Sequence, residues 1–328
     1  MNEVLVTGAA GFVGHHLVEA LRARGCRVRV LALSSEDTSR LERLGAAVHR
    51  GDVRRPESLV DPVRGVDTVF HLAAVHGLWR PRREYQDVNV GGAENVCQAV
   101  LAAGVRRLVH VSSWTVYGMG LRGAVREDSP LAPMEDAYAV TKAEADRLVR
   151  RHVAQDGLPA VVVRPGTMFG PGDRVNFGRM ADRLRAGKVI VIGPGTNAMP
   201  FVYVTDVVEG LILAATRDGA VGEAYNLSHD APLTQEQLWR AVAEDVGAPP
   251  PRLHVPYGAL HAIAFVAEQA VRVRPRRQPL VTRLGVELFG CDNRHSIEKA
   301  RRELGYAPRV GVREGVRLAA SWYLRAAA

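Results

Sequence analysis

The sequence predicts an α/β fold: a doubly wound parallel sheet of the Rossmann kind, with a smaller, discontinuous cap in the C-terminal half. Three observations predict it. Short apolar runs alternate with helical patterns from the N-terminus to about residue 165. The first of these runs leads straight into closely spaced glycines and an amphipathic helix. The rhythm then breaks at the Gly-Pro-Gly turns 170–172 and 193–195 and at Pro249–Pro251.

Residues 3–7 read as a buried strand, followed by a helix whose apolar positions are Phe12, Val13, Leu17 and Leu21. Residues 27–33 read as a second strand, with a helix around 37–44. Ala47–His49 is a third strand, ending at Gly51-Asp52. Asp67–Leu72 is a fourth. A helix near 86–103 leads to a fifth, Arg107–Ser112. Another helix starts near Ala137, and Ala160–Arg164 is a sixth strand. Strands that alternate with helices are joined by crossovers, so the sheet is parallel and covered on both faces. Residues 1–170 are the expected nucleotide-binding domain. Phe201–Val204 and Ala224–Leu227 read as strands returning to the sheet, which brings 200–227 back to that domain. Residues 171–199 and 228–328 are the expected substrate cap, with helices near 178–186, 234–246 and 296–304. The apolar stretch Pro256–Val273 carries His261 and Glu268, is too short to span a bilayer, and reads as a lid or core helix, with membrane-surface contact as the alternative.

The 328 residues are 47% hydrophobic and 24% charged, which suits a packed core. The net charge of +8 comes mostly from arginines scattered along helices, a solvated surface with no nucleic-acid-binding motif. Cys26, Cys97 and Cys291 are widely spaced, with neither a disulfide pattern nor a zinc pattern. No run reaches the roughly 18 apolar residues of a membrane helix, and no secretory leader precedes the first strand. A cytoplasmic protein with a small-molecule substrate, without membrane insertion, without a nucleic-acid partner and without a metal, is the expectation.

Thr7-Gly8-Ala9-Ala10-Gly11-Phe12-Val13-Gly14 joins the first strand to the first helix. Glycines at this spacing allow a tight turn, close approach of backbone to a pyrophosphate and close packing of helix on strand. The helix N-terminus then offers free N–H groups to phosphate. The residue that ends the second strand would distinguish NAD from NADP, by an acid for the ribose hydroxyl or a nearby arginine for a 2′-phosphate. It falls on Ala32, which does neither. Ser34 and Ser35 can donate to a phosphate, while Glu36 and Asp37 repel one, so NAD or NADP stays open at this point.

The Gly-x2-Gly-x2-Gly spacing resembles the extended short-chain dehydrogenase/reductase family, the NAD-dependent epimerase/dehydratase group. The resemblance implies cofactor contacts from Gly8, Gly11, Phe12, Val13 and Gly14, and Ser34 is a further cofactor candidate by its place after the second strand. It further implies Asp52-Val53 at the adenine and Leu72-Ala73-Ala74 along the ribose and nicotinamide side. Asn89 matches the family's central-helix asparagine, and Arg164-Pro165-Gly166 the wall of the nicotinamide amide.

Tyr138 and Lys142 lie at i and i+4 on one helix face. A phenol, with a pKa of about 10, is a poor base at neutral pH. A neighbouring ammonium and the cofactor's own positive charge favour the phenolate and bring it into range. Tyr138-x3-Lys142 matches the family's motif, in which both residues also touch the cofactor. Ser112-Ser113-Trp114-Thr115-Val116-Tyr117-Gly118 looks like the family's Ser-Ser-x-x-Val-Tyr-Gly segment and implies Ser113 as the substrate-facing hydroxyl, with Ser112 and Thr115 structural. His71, His76 and His110 are weaker candidates, since a strand-end histidine is more often merely hydrogen-bonded.

Relatives that act on nucleotide sugars carry an asparagine and an arginine where this chain has Thr167 and Met199. Losing an arginine from a diphosphate site is not conservative. Arg164-Pro165-Gly166 with Phe169–Asp173, Val255-Pro256-Tyr257 and Thr282-Arg283 instead resemble the 3β-hydroxysteroid and sterol dehydrogenase branch. The expectation is an oxidoreductase that interconverts a secondary alcohol and a ketone on a mostly apolar substrate. Trp79, Trp114 and the 256–273 helix are candidate pocket walls. A nucleotide-sugar epimerase or dehydratase using the same triad is the alternative, followed by a non-catalytic cofactor sensor. The resemblance also implies a homodimer, paired through the helices containing 90–103 and 137–152.

Overall fold

The computed structural model describes residues 1–76, 80–273 and 281–327. The first half runs β1 (Glu3–Thr7), α1 (Phe12–Ala23), β2 (Arg27–Ala32), α2 (Ser39–Arg43), β3 (Ala47–Arg50), α3 (Glu57–Val63) and β4 (Thr68–His71). Next come α4 (Arg82–Tyr85), a π-helical segment (Gln86–Gly91), α5 (Gly92–Ala102) and β5 (Arg107–Val111). A short 3-10 turn (Trp114–Tyr117), α6 (Ala137–Asp156) and β6 (Ala160–Pro165) follow. The second half holds β7 (Thr167–Phe169), α7 (Phe177–Arg185), β8 (Val191–Ile192), β9 (Phe201–Tyr203), α8 (Val204–Thr216) and β10 (Ala224–Leu227). It ends with α9 (Gln235–Val246), β11 (His254–Val255), α10 (Tyr257–Val273), α11 (Arg283–Gly290), α12 (Glu298–Leu304) and α13 (Val312–Ala327).

Seven parallel strands form the central sheet in the order β10-β6-β5-β4-β1-β2-β3. Alternate side chains of each strand feed two separate cores. Val4, Val6, Phe70 and Val109 pack with Leu17 of α1 and Leu211 of α8 on one face. Leu5, Val69, Leu108 and Val162 pack with Leu59, Val96 and Val149 of α3, α5 and α6 on the other. Burial on both faces is why β4 and β6 are buried at every position. The winding reverses between β1 and β4, which opens a crevice at their C-terminal ends. That crevice sets the place of the site.

Ala224–Leu227 joins the sheet beside β6, but Phe201–Tyr203 does not return to it and pairs with β7 instead. The cause is a crossing just past β6. Thr167 N–H donates to Pro200 O at 2.6 Å, and a Cβ on Gly166 would lie 2.5 Å from that oxygen. The chain is thereby bent out of the sheet before β9 is reached. The helix expected near 86–103 begins at Arg82 and changes winding at Gln86–Gly91.

A further apolar cluster, with Phe169, Phe177, Met199, Trp239, Val242 and Val316 among its members, joins α7, α9 and α13. Helix α9 starts at a Thr234/Gln237 capping box and stops at Gly247 in the left-handed region, both legible as local signals. Among the described residues no helix is long and apolar enough to cross a membrane.

Candidate functional site

The glycine loop leaves β1 at the crevice and lies in backbone contact with the exit of β4. Gly8 has φ 70°, and a Cβ there would sit 2.7 Å from Ala73 N and 2.8 Å from the Leu72 carbonyl carbon. A Cβ on Gly14 would fall 2.3 Å from Gly8 O, and one on Gly11 3.2 Å from it. Thr7 Oγ1 accepts from Ala73 N–H at 3.3 Å and meets His71 Nδ1 at 2.8 Å, which ties the loop to β4. Helix α1 begins at Gly11 with no side-chain cap and no acid in its first turn. Its N–H groups and positive dipole end are therefore left for an anion. These features fit the pyrophosphate of a dinucleotide: glycines where a side chain would fill the cradle, at the mouth of a bare helix N-terminus. Phe12 packs edge-on against His16, which donates from Nε2 to Pro171 O at 2.8 Å and seats the loop after β7 above α1.

Ser34 and Asp52 lie on the far side of β1 from β5, after β2 and β3. Ser34 is exposed, and Ala32 is buried at the end of β2. Glu36 accepts from Leu33 N–H at 2.8 Å, and Arg50 folds over the same loop to Leu33 O, Glu36 O and Thr38 Oγ1. Arg54 holds the Asp52 carboxylate, which lowers its pKa, and Val53 is buried against Gly92.

Ser113, Tyr138 and Lys142 come together at the other end. Asp136 caps α6 by accepting from Ala139 N–H at 3.0 Å, which starts the helix at Ala137, one residue before Tyr138. Ser113 lies close enough to the Tyr138 phenol to pull its pKa downward. Ser113 Oγ also meets Thr115 Oγ1 at 2.9 Å and accepts from Thr115 N–H at 3.2 Å. Burial pushes the phenol up to about 12, against the opposing pull of Ser113. Lys142 is buried one turn on and donates to Val111 O at 2.6 Å. Burial pushes its ammonium down to about 8, with the Asp146 carboxylate working the other way.

His76 stands edge-on to Tyr138, with ring centroids 5.2 Å apart. Burial holds His71 at about 3 and His110 well below the usual imidazole range, so both are neutral. His71 is hydrogen-bonded as expected of a strand-end histidine, whereas neither ring nitrogen of His110 has a partner among the described residues.

Asn89 is buried in the π-helical segment. Its Oδ1 accepts from Val75 N–H at 2.7 Å, and its Nδ2 donates to Val75 O at 3.3 Å and Thr141 Oγ1 at 3.1 Å. It therefore clamps the loop that carries Leu72, Ala73 and Ala74 onto α6, next to Lys142. Pro165 ends β6, and Gly166 N–H donates to Leu227 O at 2.8 Å. Trp114 is buried, edge-on to His295, and Trp79 lies outside the described residues.

Sequence reasoning missed the network beneath these residues. The fully buried Arg164 grips Asp146 through two bonds of 2.8 Å and donates to Tyr117 OH at 2.7 Å. Ser112 donates to Asp146, and Tyr117 OH donates to Asn226, each at 2.7 Å. The available signal was an arginine in an otherwise apolar strand. Among the described residues no three His, Cys, Asp or Glu side chains are placed to hold a metal.

A family model for the NAD dependent epimerase/dehydratase family matches residues 4–228. The 2-alkyl-3-oxoalkanoate reductase of Stenotrophomonas maltophilia is 33% identical over 325 residues, covering 96% of this chain and 97% of its own. The 3 beta-hydroxysteroid dehydrogenase/Delta 5-->4-isomerase of Mycobacterium tuberculosis is 34% identical over 326 residues, covering 94% and 86%. Among solved structures, MoeE5 in complex with UDP-glucose and NAD superposes with a TM-score of 0.77 at 29% identity over 100% of both chains.

Proposed function

We propose that this chain, which belongs to the NAD dependent epimerase/dehydratase family, is a dehydrogenase or ketoreductase acting on a secondary alcohol or ketone of an apolar substrate. The observation that carries the reading is the Tyr138 phenol set beside Ser113, with the Lys142 ammonium buried one helical turn along the same helix. NAD, when bound, supplies the hydride chemistry at its nicotinamide ring. Ser113 donates a hydrogen bond to the reacting oxygen, and Thr115 fixes that hydroxyl. Tyr138 gives its proton to the oxygen during reduction and takes it back during oxidation. Lys142 stabilises the tyrosinate by charge, and Asp146 helps keep the lysine protonated.

Relatives named as an oxoalkanoate reductase and a hydroxysteroid dehydrogenase support redox turnover at a hydroxyl or keto carbon. Met199 is wholly buried in the cluster around α7 and α9, which leaves no guanidinium at that position for a diphosphate. That weighs against a nucleotide sugar, despite the likeness to MoeE5. Glu36 and Asp37 on the loop after β2 favour NAD over NADP. Residues 171–199 and 228–328 serve as the substrate cap. A homodimer paired through α5 and α6, in a reducing cytoplasm that keeps all three cysteines free, completes the proposal.

Tyr138→Phe is expected to lower kcat by about 10²–10⁴-fold while NAD affinity, read by calorimetry, stays the same. Undiminished turnover would remove the basis of the mechanism. The pH profile should be asymmetric. Oxidation needs the deprotonated phenol, which burial disfavours, so its rate climbs as pH rises into the alkaline range. Reduction needs the phenol intact and holds through neutral pH. Stoichiometric NAD that is retained, with no net cofactor turnover on any alcohol or ketone, would instead mark an epimerase.

A further inference from the structure

Helix α10 wears its polarity inside out. Ala259, Ala262, Ile263, Val266 and Ala270 recur at helical spacing and are all exposed, with Ile263 at 56% and Val266 at 65%. Phe265, at 47%, and Leu253 just before the helix, at 61%, are exposed as well. The polar side chains turn toward the protein: His261 pairs with Glu287 at 3.1 Å, and Glu268 accepts from Arg283 Nε at 2.8 Å. Leu260 and Ala264 bury against Val286 and Ile192. A solvated surface helix shows the reverse arrangement, and a contiguous exposed apolar patch marks a docking face.

We propose that this face of α10 docks on an anionic lipid bilayer and lies in its interface without crossing it. Seventeen residues whose polar side chains His261 and Glu268 pair with part-buried partners on α11 suit a helix lying along the headgroup boundary. Charge complementarity selects lipid over a second copy of the chain. The protein carries +8, Arg252 is exposed beside Leu253, and the sequence continues past the end of the helix at Val273 as Arg274-Pro275-Arg276-Arg277. Two copies meeting here would set like charges together, whereas acidic headgroups neutralise them.

The test is flotation of the whole protein with vesicles of phosphatidylcholine alone or mixed with phosphatidylglycerol, together with light scattering. The protein should float with the mixed vesicles and be released by high salt. Ile263→Glu/Val266→Glu should bind about tenfold less, with its melting temperature and NAD affinity unchanged. Wild-type protein that stays with the soluble fraction overturns the proposal. So does a doubly substituted protein that floats equally well. A dimer that the same substitutions split to monomers assigns the face to a second copy instead. Partition is read without turnover, so a failure here is distinct from a failure of the Tyr138 mechanism.

Discussion

Arg164 and Asp146 show how much of a site can rest on residues that touch no ligand. Both side chains are fully buried, where each charge forfeits several kcal/mol of hydration. The parallel two-bond geometry, with Ser112 on the acid and Tyr117 on the arginine, offsets that cost only while both partners are present. Asp146→Asn or Arg164→Met alone should therefore lower stability by about 3–5 kcal/mol in urea denaturation. Asp146→Leu/Arg164→Met together should cost clearly less than the sum of the single changes, and strict additivity would show that the pair is not coupled. Tyr138 and Lys142 were legible in the sequence because they share one helix face, and Ser113 because its segment resembles a known one. Asp146 shares that helix too, four residues past Lys142, yet its partner lies on another element. Nothing local to either residue names the other.

At the scale of elements, the π-helical turn at Gln86–Gly91 is the feature with functional weight. Its extra residue per turn brings Asn89 against Val75 and Thr141 at once, a placement that recurs where helices serve sites. Asn89→Ala leaves the Val75 N–H without its acceptor and should cost about 1–3 kcal/mol. NAD affinity should weaken as well, because the loop holding Ala73 is no longer pinned. Calorimetric titration that shows unchanged affinity would mean the loop is held by other bonds. The helix itself could be read from sequence, but its change of winding could not, since the bonds that stabilise it come from the loop after β4 and from α6. The same holds for Phe201–Tyr203. A three-residue apolar strand carries no mark of its partner, and the Gly166–Pro200 crossing assigned it to β7.

For the molecule as a whole, the sheet is finished late in the chain. β10 covers β6 and arrives only after β7, α7, β9 and α8, bringing Asn226 to Tyr117. The parallel sheet was legible from the alternation of strands and helices, and the return of Ala224–Leu227 beside β6 fits the expectation that 200–227 comes back to the first domain. A fragment of residues 1–170 lacks α8 and β10, which bares Val109, Val161 and Val163. It should neither melt cooperatively by circular dichroism nor retain NAD. A sharp transition in that fragment would contradict this.

Two neighbouring crossings join the sheet to what lies above it: Thr167 to Pro200, and β7 to β9. Such a seam leaves no slack tether on which the upper part can swing. Admission of a bulky guest must come from small sliding movements of packed helices, so the resting shape of the entrance already limits what can enter.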